Sequence, residues 1–344
     1  MEAPSVLAAG DGFILPTLFA DAVRMAVPSA EVRELELTWP DVPFGDVAEV
    51  REASGTEEQL IEALAGCSYL VTQLAPVSRR VLENSRELKF VGVSRGGPLN
   101  VNLHAAREHG IVVVNAPGRN AIATAEMTVG LMLAVTRGIP AAHTGLKAHR
   151  WQGELYRFDR AGFEIDGSTV GMLGYGAVGR TVARIMAAMG ATVLVYDPFV
   201  DPSTLTPGAT QIDDVDELFK RSDILTVHAR LTTETQGIVS ASRIAAMPRG
   251  SFLINAARGP IVDYDAVVSA LDSGQLAGAA FDVFPDEPVD FGHGLFNLLG
   301  TGANIVLTPH IAGASQQVAQ RAAFIVAAEL ARHLAGTELR HRLV

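Results

Sequence analysis

Thr169-Val-Gly-Met-Leu-Gly-Tyr-Gly-Ala-Val-Gly-Arg180 is followed, after a helical stretch to Met189, by a second apolar run and Val195-Tyr-Asp-Pro198. An apolar strand, a Gly174-x-Gly176-x-x-Gly179 turn, a helix, another strand and then an acid make up one half of a dinucleotide fold. Gly174 permits the tight turn, and Gly176 lets backbone approach a pyrophosphate. Gly179 lets the helix pack close to the strand, so that an anion meets the free N–H groups of the helix start. Asp197, 23 positions after Gly174, is placed to accept from both ribose hydroxyls. A carboxylate there repels the extra phosphate of NADP, so the chemistry favours NAD.

A chain of 344 residues exceeds what one hydrophobic core usually serves, and two domains of about 150 residues are expected. Apolar residues make up 48% of it, enough to fill both cores. The formal net charge of −11 argues against a nucleic-acid partner, because affinity for phosphate backbones comes largely from clustered Lys and Arg. An anionic substrate therefore needs a local positive site. The single Cys67 excludes an intrachain disulfide, offers no metal cluster and fits a reducing compartment. The N-terminal region lacks a basic start and a long apolar core, with Asp11 interrupting it, and no run reaches the ~18 uncharged apolar residues that span a bilayer. The expectation is a soluble, cytoplasmic protein with no metal and no membrane partner.

Short β-branched runs alternate with helical segments from Val6 to Val114, and a second alternation begins at Thr169. Both predict α/β domains built on parallel, doubly wound sheets. The first domain is expected over 1–117, completed by a C-terminal segment 311–344 whose helix, about Gln317 to His333, packs back on it. The second is expected over 118–310. Within it, Ala121 to Val135 reads as a helix closed by Arg137 and Gly138, either a core helix or one packed across a dimer axis. Ala141 to Gly167, with Trp151, Tyr156 and Phe158 among polar residues, reads as an irregular arm.

Ligands of open parallel sheets lie outside the carboxyl ends of the strands. In the second alternation those ends carry Asp197, His228, Arg258, Asp282 with Glu287 beyond it, and His310. Hydride exchange at such a rim needs a fixed cation for an anionic or carbonyl group, which suits Arg258. It also needs a proton donor that titrates near neutrality, which suits His310. Glu287 is placed to hydrogen-bond His310 and favour its charged form.

These motifs resemble the D-isomer-specific 2-hydroxyacid dehydrogenase family. The resemblance runs through Asn115-Ala-Pro-Gly-Arg-Asn120, the glycine turn, His228-Ala-Arg-Leu-Thr-Thr-Glu-Thr235, Asn255-Ala-Ala-Arg-Gly259, Asp282-Val-Phe284 and Thr308-Pro-His-Ile-Ala-Gly313. It implies a Rossmann NAD-binding domain and a flavodoxin-like substrate domain, with NAD as cofactor and a small anionic 2-hydroxy or 2-keto acid as substrate. It further implies catalysis by Arg258, Glu287 and His310, with Asp282 holding the nicotinamide amide. Cofactor contacts are implied from Gly174, Tyr175, Gly176, Ala177, Val178, Gly179, Asp197, His228, Ala229, Ala256, Asp282 and His310. A homodimer joined by 118–167 is implied as well, and the short tail after His333 implies no added regulatory domain.

The family also places a substrate carboxylate against the backbone of a first-domain loop, here Ser94-Arg-Gly-Gly-Pro98. Arg95 stands where that pattern has a glycine, beside Gly96 and Gly97, and Leu99 stands where it has an aspartate. Arg95 either binds a second anionic group on the substrate or points to solvent or braces the Gln73-Leu-Ala-Pro76 loop. Two other functions stay open: an NAD(H)-sensing, corepressor-like binding protein, and a relative that oxidises a phosphorylated, phosphonate or small inorganic anion.

Overall fold

The computed structural model describes residues 3–39 and 45–344. It comprises two compact units, Met1–Arg119 with Ala314–Val344, and Asn120–Gly313.

The first unit is built on five parallel strands: β1 (Ser5–Gly10), β2 (Glu31–Glu36), β5 (Tyr69–Thr72), β6 (Phe90–Val93) and β7 (Val112–Val114). A small antiparallel hairpin, β3 (Gly45–Val47) with β4 (Val50–Ala53), is inserted between β2 and β5. The sheet order β2-β1-β5-β6-β7 is the flavodoxin-like arrangement. Alternate residues of β1 feed opposite faces, as the two-residue period of a strand requires. Leu7 and Ala9 pack with Leu60 and Leu64, whereas Val6 and Ala8 join Phe19, Val71 and Phe90 against Ala322, Val326 and Leu330. Those last three residues lie on the helix Gln316–Leu334, which Ser315 caps by accepting from the Val318 N–H.

The second unit holds seven parallel strands: β8 (Thr169–Leu173), β9 (Thr192–Tyr196), β10 (Ala209–Gln211), β11 (Ile224–Val227), β12 (Ser251–Asn255), β13 (Leu276–Phe281) and β14 (Ile305–Leu307). Their order, β10-β9-β8-β11-β12-β13-β14, is that of the Rossmann fold. The order reverses between β8 and β11, which puts the ligand crevice at the carboxyl ends of those two strands. β11, β12 and the carboxyl-terminal part of β13 are buried on both faces, as expected for a parallel sheet covered by helices on each side.

The helix Ala121–Thr136 buries Ala125, Leu131, Met132 and Val135 against Val170, Met172 and Phe252 of this sheet. It is therefore a core helix of its own unit. The arm departs from expectation in its first part. Ile139–Lys147 is an α-helix, entered from Gly138 in the left-handed conformation at φ 59° with Pro140 in its first turn. A proline there is pre-set for helix and gives up an N–H that would be unpaired anyway, a start signal masked by the polar residues that follow. From Ala148 to Gly167 only one 3-10 turn, Gly153–Tyr156, interrupts irregular chain.

Candidate active site at the carboxyl rim of the seven-stranded sheet

The glycine turn is dictated by close packing at two of its three positions. Gly174 has φ 98°, and a Cβ there would lie 2.6 Å from the Ala229 nitrogen. A Cβ on Gly179 would sit 2.5 Å from the Gly174 carbonyl oxygen. Gly176 differs, because a Cβ there would meet nothing within 4 Å among the described residues. That open side faces the start of the helix Ala177–Ala188, whose first turn no side chain caps. Such an end presents free N–H groups and the positive pole of the helix dipole to an anion.

Asp197 is tied to this turn. Its Oδ2 accepts the Tyr175 N–H at 2.7 Å and its Oδ1 the Phe199 N–H at 2.9 Å. Each oxygen keeps a lone pair free for a ribose hydroxyl. Tyr175 is buried, with its hydroxyl accepting from the Thr206 N–H at 2.7 Å, so it anchors the turn from beneath. Burial pushes the pKa of His228 down to about 3, and its Nε2 lies 3.0 Å from the Thr226 hydroxyl. The imidazole at this rim position is thus neutral and cannot repel a bound cation. Open glycine, free helix end and tethered acid together fit a dinucleotide.

Further along the rim, Asn255 folds the chain back on itself. Its Oδ1 accepts the Ala257 N–H at 3.0 Å and its Nδ2 donates to the Arg258 carbonyl at 2.9 Å. Arg258 is thereby held on an exposed turn, and its Nη1 donates to the Ala257 carbonyl at 2.6 Å. Among the described residues Arg258 forms no ion pair, leaving most of the guanidinium fork free for a planar anion. Next to it, Gly259 lies so close to the neighbouring loop that a Cβ would fall 1.8 Å from the Phe284 carbonyl oxygen. The turn of Arg258 and the loop of Glu287 are consequently locked together. Gly259→Ala must force backbone apart, and a stability loss of about 1–3 kcal/mol or more in denaturant melts is expected, with turnover falling further than stability explains.

His310 and Glu287 form the centre of the site, with Nδ1 and Oε2 2.6 Å apart. Glu287 Oε1 accepts the Phe284 N–H at 3.0 Å, which fixes the carboxylate that aims the ring. The hydrogen bond that His310 donates to Glu287 raises the His310 pKa above its ordinary value, outweighing burial. The charges of Glu287 and Asp282 act in the same direction, while the positive charge of Arg258 opposes them. Burial of Glu287 favours its neutral form, but the bond and charge of His310 outweigh it and hold the carboxyl below its usual range, with Arg258 helping. His310 and Glu287 therefore each feel the other and Arg258. Glu287→Gln removes the main cause of the His310 shift, so an NMR titration should find the imidazole losing its proton at lower pH than in the parent protein. An unchanged midpoint would break the link.

Asp282 organises the segment that carries His310. It is fully buried, with Oδ1 accepting from the Thr308 hydroxyl at 2.6 Å and the Ile311 N–H at 2.9 Å, and Oδ2 from the Ala312 N–H at 2.7 Å. The His310 N–H donates to the Asp282 carbonyl at 2.8 Å. These bonds hold His310 at φ 53°, a left-handed conformation that a non-glycine residue adopts only when its surroundings impose it. Thr308 and Asn255 belong to the site on this geometry although the sequence pattern singled out neither. Their signal was only a hydroxyl and an amide at strand ends, beside better-known residue types.

Ala229 and Ala256 flank the same crevice, Ala229 against Gly174 and Ala256 in the buried layer under the Arg258 turn. On the first unit, Gly96 and Gly97 are exposed, and the Gly96 carbonyl accepts from Asn115 Nδ2 at 2.8 Å. Arg95 is neither solvent-directed nor braced on the Gln73 loop. It donates from Nη1 to the Glu52 carbonyl at 3.1 Å and pairs through Nη2 with the Glu52 carboxylate.

A Rossmann sheet with this turn, acid and ionisable rim defines a nicotinamide-dinucleotide-binding protein. Residues 129–312 match the family described as D-isomer specific 2-hydroxyacid dehydrogenase, NAD binding domain, and the chain belongs to that family. It is 37% identical over 302 residues to the D-3-phosphoglycerate dehydrogenase of Methanocaldococcus jannaschii, covering 87% of this chain and 56% of that protein. With the enzyme of the same name from Mycobacterium tuberculosis it shares 36% over 295 residues, 85% of this chain and 54% of the other. The chain thus spans about half the length of the curated relatives it matches. Among solved structures, the TT0316 protein of Thermus thermophilus superposes with a TM-score of 0.77 at 29% identity, covering 99% of this chain and all of that one. The NAD-complexed D-isomer specific 2-hydroxyacid dehydrogenase of Lactobacillus delbrueckii shares the fold with a TM-score of 0.80 at 24% identity, again covering 99% of this chain and all of the other.

Proposed function

We propose that this chain is an NAD-dependent oxidoreductase that interconverts a D-2-hydroxy acid and its 2-keto acid. The observation that carries this is the His310–Glu287 pair, 2.6 Å apart and under the charge of Arg258, on the rim of a dinucleotide fold. When bound, the nicotinamide supplies or accepts the hydride. Gly174 to Gly179, with Ala177 and Val178 opening the helix, would hold its pyrophosphate, and Asp197 its ribose. His228, Ala229, Ala256, Asp282 and His310 would line the nicotinamide side.

Arg258 would grip the acid with its planar donors and polarise the carbonyl, acting where negative charge develops on oxygen. His310 has Nδ1 committed to Glu287, so the proton it moves is the one on Nε2. It would give that proton to the carbonyl oxygen in reduction and take it from the hydroxyl in oxidation. Because its pKa is raised, the donor form persists to higher pH than an ordinary histidine would allow. Reduction should therefore fall only as pH rises through that raised value, and oxidation should rise over the same interval. Gly96 and Gly97 would offer backbone N–H groups to the acid.

A homodimer is proposed on the exposed apolar surface of the arm region. Ile122, Ile139, Leu146, Trp151 and Tyr156 stand exposed along residues 121–156, and large exposed apolar side chains of this kind support an association surface. Sedimentation of the purified chain should report twice the monomer mass, and a Trp151→Asp variant should sediment lighter. The cytoplasm is proposed as its compartment on the single buried, free Cys67. No single helix among the described residues is long and apolar enough to cross a membrane.

The direct test is NADH oxidation with short, branched, dicarboxylic and phosphorylated 2-keto acids. Turnover with at least one, yielding the D-isomer, is expected. NADH binding without turnover on any of them would remove the catalytic reading.

A further inference from the structure

The amide that holds Glu287 in place is itself held from behind. The carbonyl of Val283 and the N–H of Phe284 belong to one planar peptide unit, so the two turn together. The N–H donates to Glu287 Oε1 at 3.0 Å, and the carbonyl accepts from the Tyr264 hydroxyl at 2.6 Å. Glu287 Oε2 in turn lies 2.6 Å from His310 Nδ1. One hydrogen-bonded chain therefore runs from a buried phenol, through a backbone amide and a carboxylate, to the imidazole.

Tyr264 is a firm anchor for that chain. It opens the helix Tyr264–Asp272, whose start Asp263 caps by accepting the Ala266 N–H at 3.0 Å. The side chain is buried, with its ring centre 4.8 Å from that of Phe281 and an edge-on contact to His293 at 6.4 Å. Burial pushes the pKa of the hydroxyl up, a hydrogen bond from the Asn255 side chain pulls it down, and the charge of Glu287 pushes it up again. The hydroxyl thus stays protonated at neutral pH and is a standing donor. Asn255 Nδ2 gives one N–H to the Arg258 carbonyl. A primary amide has a second, and directing it at the phenol oxygen turns the Tyr264 proton toward Val283.

A phenylalanine here would fill the core equally well, so the hydroxyl is what the position adds. A buried carbonyl needs a donor, and the carbonyl served is the one whose amide carries the N–H on Glu287. Without that donor the amide is free to rotate, and the Phe284 N–H swings away from the carboxylate it fixes. We propose that Tyr264 is a positioning residue of the reaction, its hydroxyl fixing the Val283–Phe284 amide that aims Glu287 at His310. It acts through Glu287 rather than on the substrate. Its part in catalysis rests on the reading of His310 as the acid–base group, whereas its coupling to the imidazole does not.

Tyr264→Phe tests this, because phenylalanine keeps the ring contacts and removes only the hydroxyl. NMR titration should find the His310 imidazole, assigned by its absence from the spectrum of His310→Ala, losing its proton at lower pH than in the parent, since a looser Glu287 bonds it less tightly. In a Glu287→Gln background, Tyr264→Phe should leave the midpoint where Glu287→Gln alone puts it. In turnover assays kcat should fall about tenfold, within the cost of misplacing a catalytic group, with KM for the 2-keto acid little changed. Stability falls as well, because the Val283 carbonyl loses its donor. Val267→Ala, a truncation buried in the same helix, provides the comparison: a lower melting temperature with parental midpoint and kcat. A parental His310 midpoint in Tyr264→Phe, a further shift in the double variant, or an equal shift from Val267→Ala overturns the proposal. A shifted midpoint with parental kcat removes Tyr264 from the reaction. If the parent protein turns over no acid at all, the dehydrogenase reading fails separately, and the midpoints alone decide the coupling.

Discussion

His310→Ala is expected to lower turnover of any accepted 2-keto acid by about 10²–10⁴-fold, the usual contribution of a positioned general acid, with NADH affinity little changed. The size of the effect follows from the absence of a substitute. Glu287 is bonded to Nδ1 of the ring it would have to replace and is tied to the Phe284 N–H, so its carboxyl sits behind the imidazole and not where Nε2 delivers the proton. His228, the other rim imidazole, is kept neutral by burial. Alanine also removes a bulky residue from a left-handed backbone position at φ 53°. Circular dichroism and melting should therefore accompany the kinetics, and Gly at the same position serves as a second variant free of backbone strain. Full turnover by both variants would exclude His310 from the reaction.

Arg258→Lys should reduce kcat/KM by about 10²–10³-fold, comparable to losing one preorganised donor at a developing oxyanion. Lysine keeps the positive charge but not the planar fork. The Asn255 turn fixes where that fork begins, since Asn255 bonds the Arg258 carbonyl itself, and a shorter, point-charged head group starting there cannot reproduce two parallel bonds to a carboxylate. The loss should appear in both KM and kcat if Arg258 binds the acid and polarises its carbonyl. An effect on KM alone would restrict it to binding, and parent-like kinetics would remove it from the site. The His310 pKa gives an independent readout. The arginine charge now lowers it, so Arg258→Gln should let it rise.

The parts of the fold that obey simple periodicities were legible from residues alone. The glycine turn, the β-branched strands and the strand-end rule together placed Asp197, Arg258, Glu287 and His310 on one sheet edge. What stayed hidden was mostly local and polar. The helix Ile139–Lys147 has little apolar patterning and depends on Gly138 and Pro140 for its start. The grip of Asp282 on Thr308, Ile311 and Ala312 joins residues about 26–30 positions apart, and no spacing pattern announces it. Arg95 has a contact of the same hidden kind, pairing with Glu52, 43 residues earlier on the small hairpin.

The first unit is discontinuous. Val6, Ala8, Val71, Phe90 and Val114 on one face of its sheet are covered by Ala319, Ala322, Ala323, Val326 and Leu330, from the last helix of the chain. A ribosome therefore delivers the sheet long before its lid. While Asn120–Gly313 emerges and can already condense by itself, that half-made layer must wait with its oily side bare. Newly made protein should accordingly depend on holding chaperones late in translation, and stop codons placed just before Gln316 should yield insoluble product even though every rim residue has been synthesised.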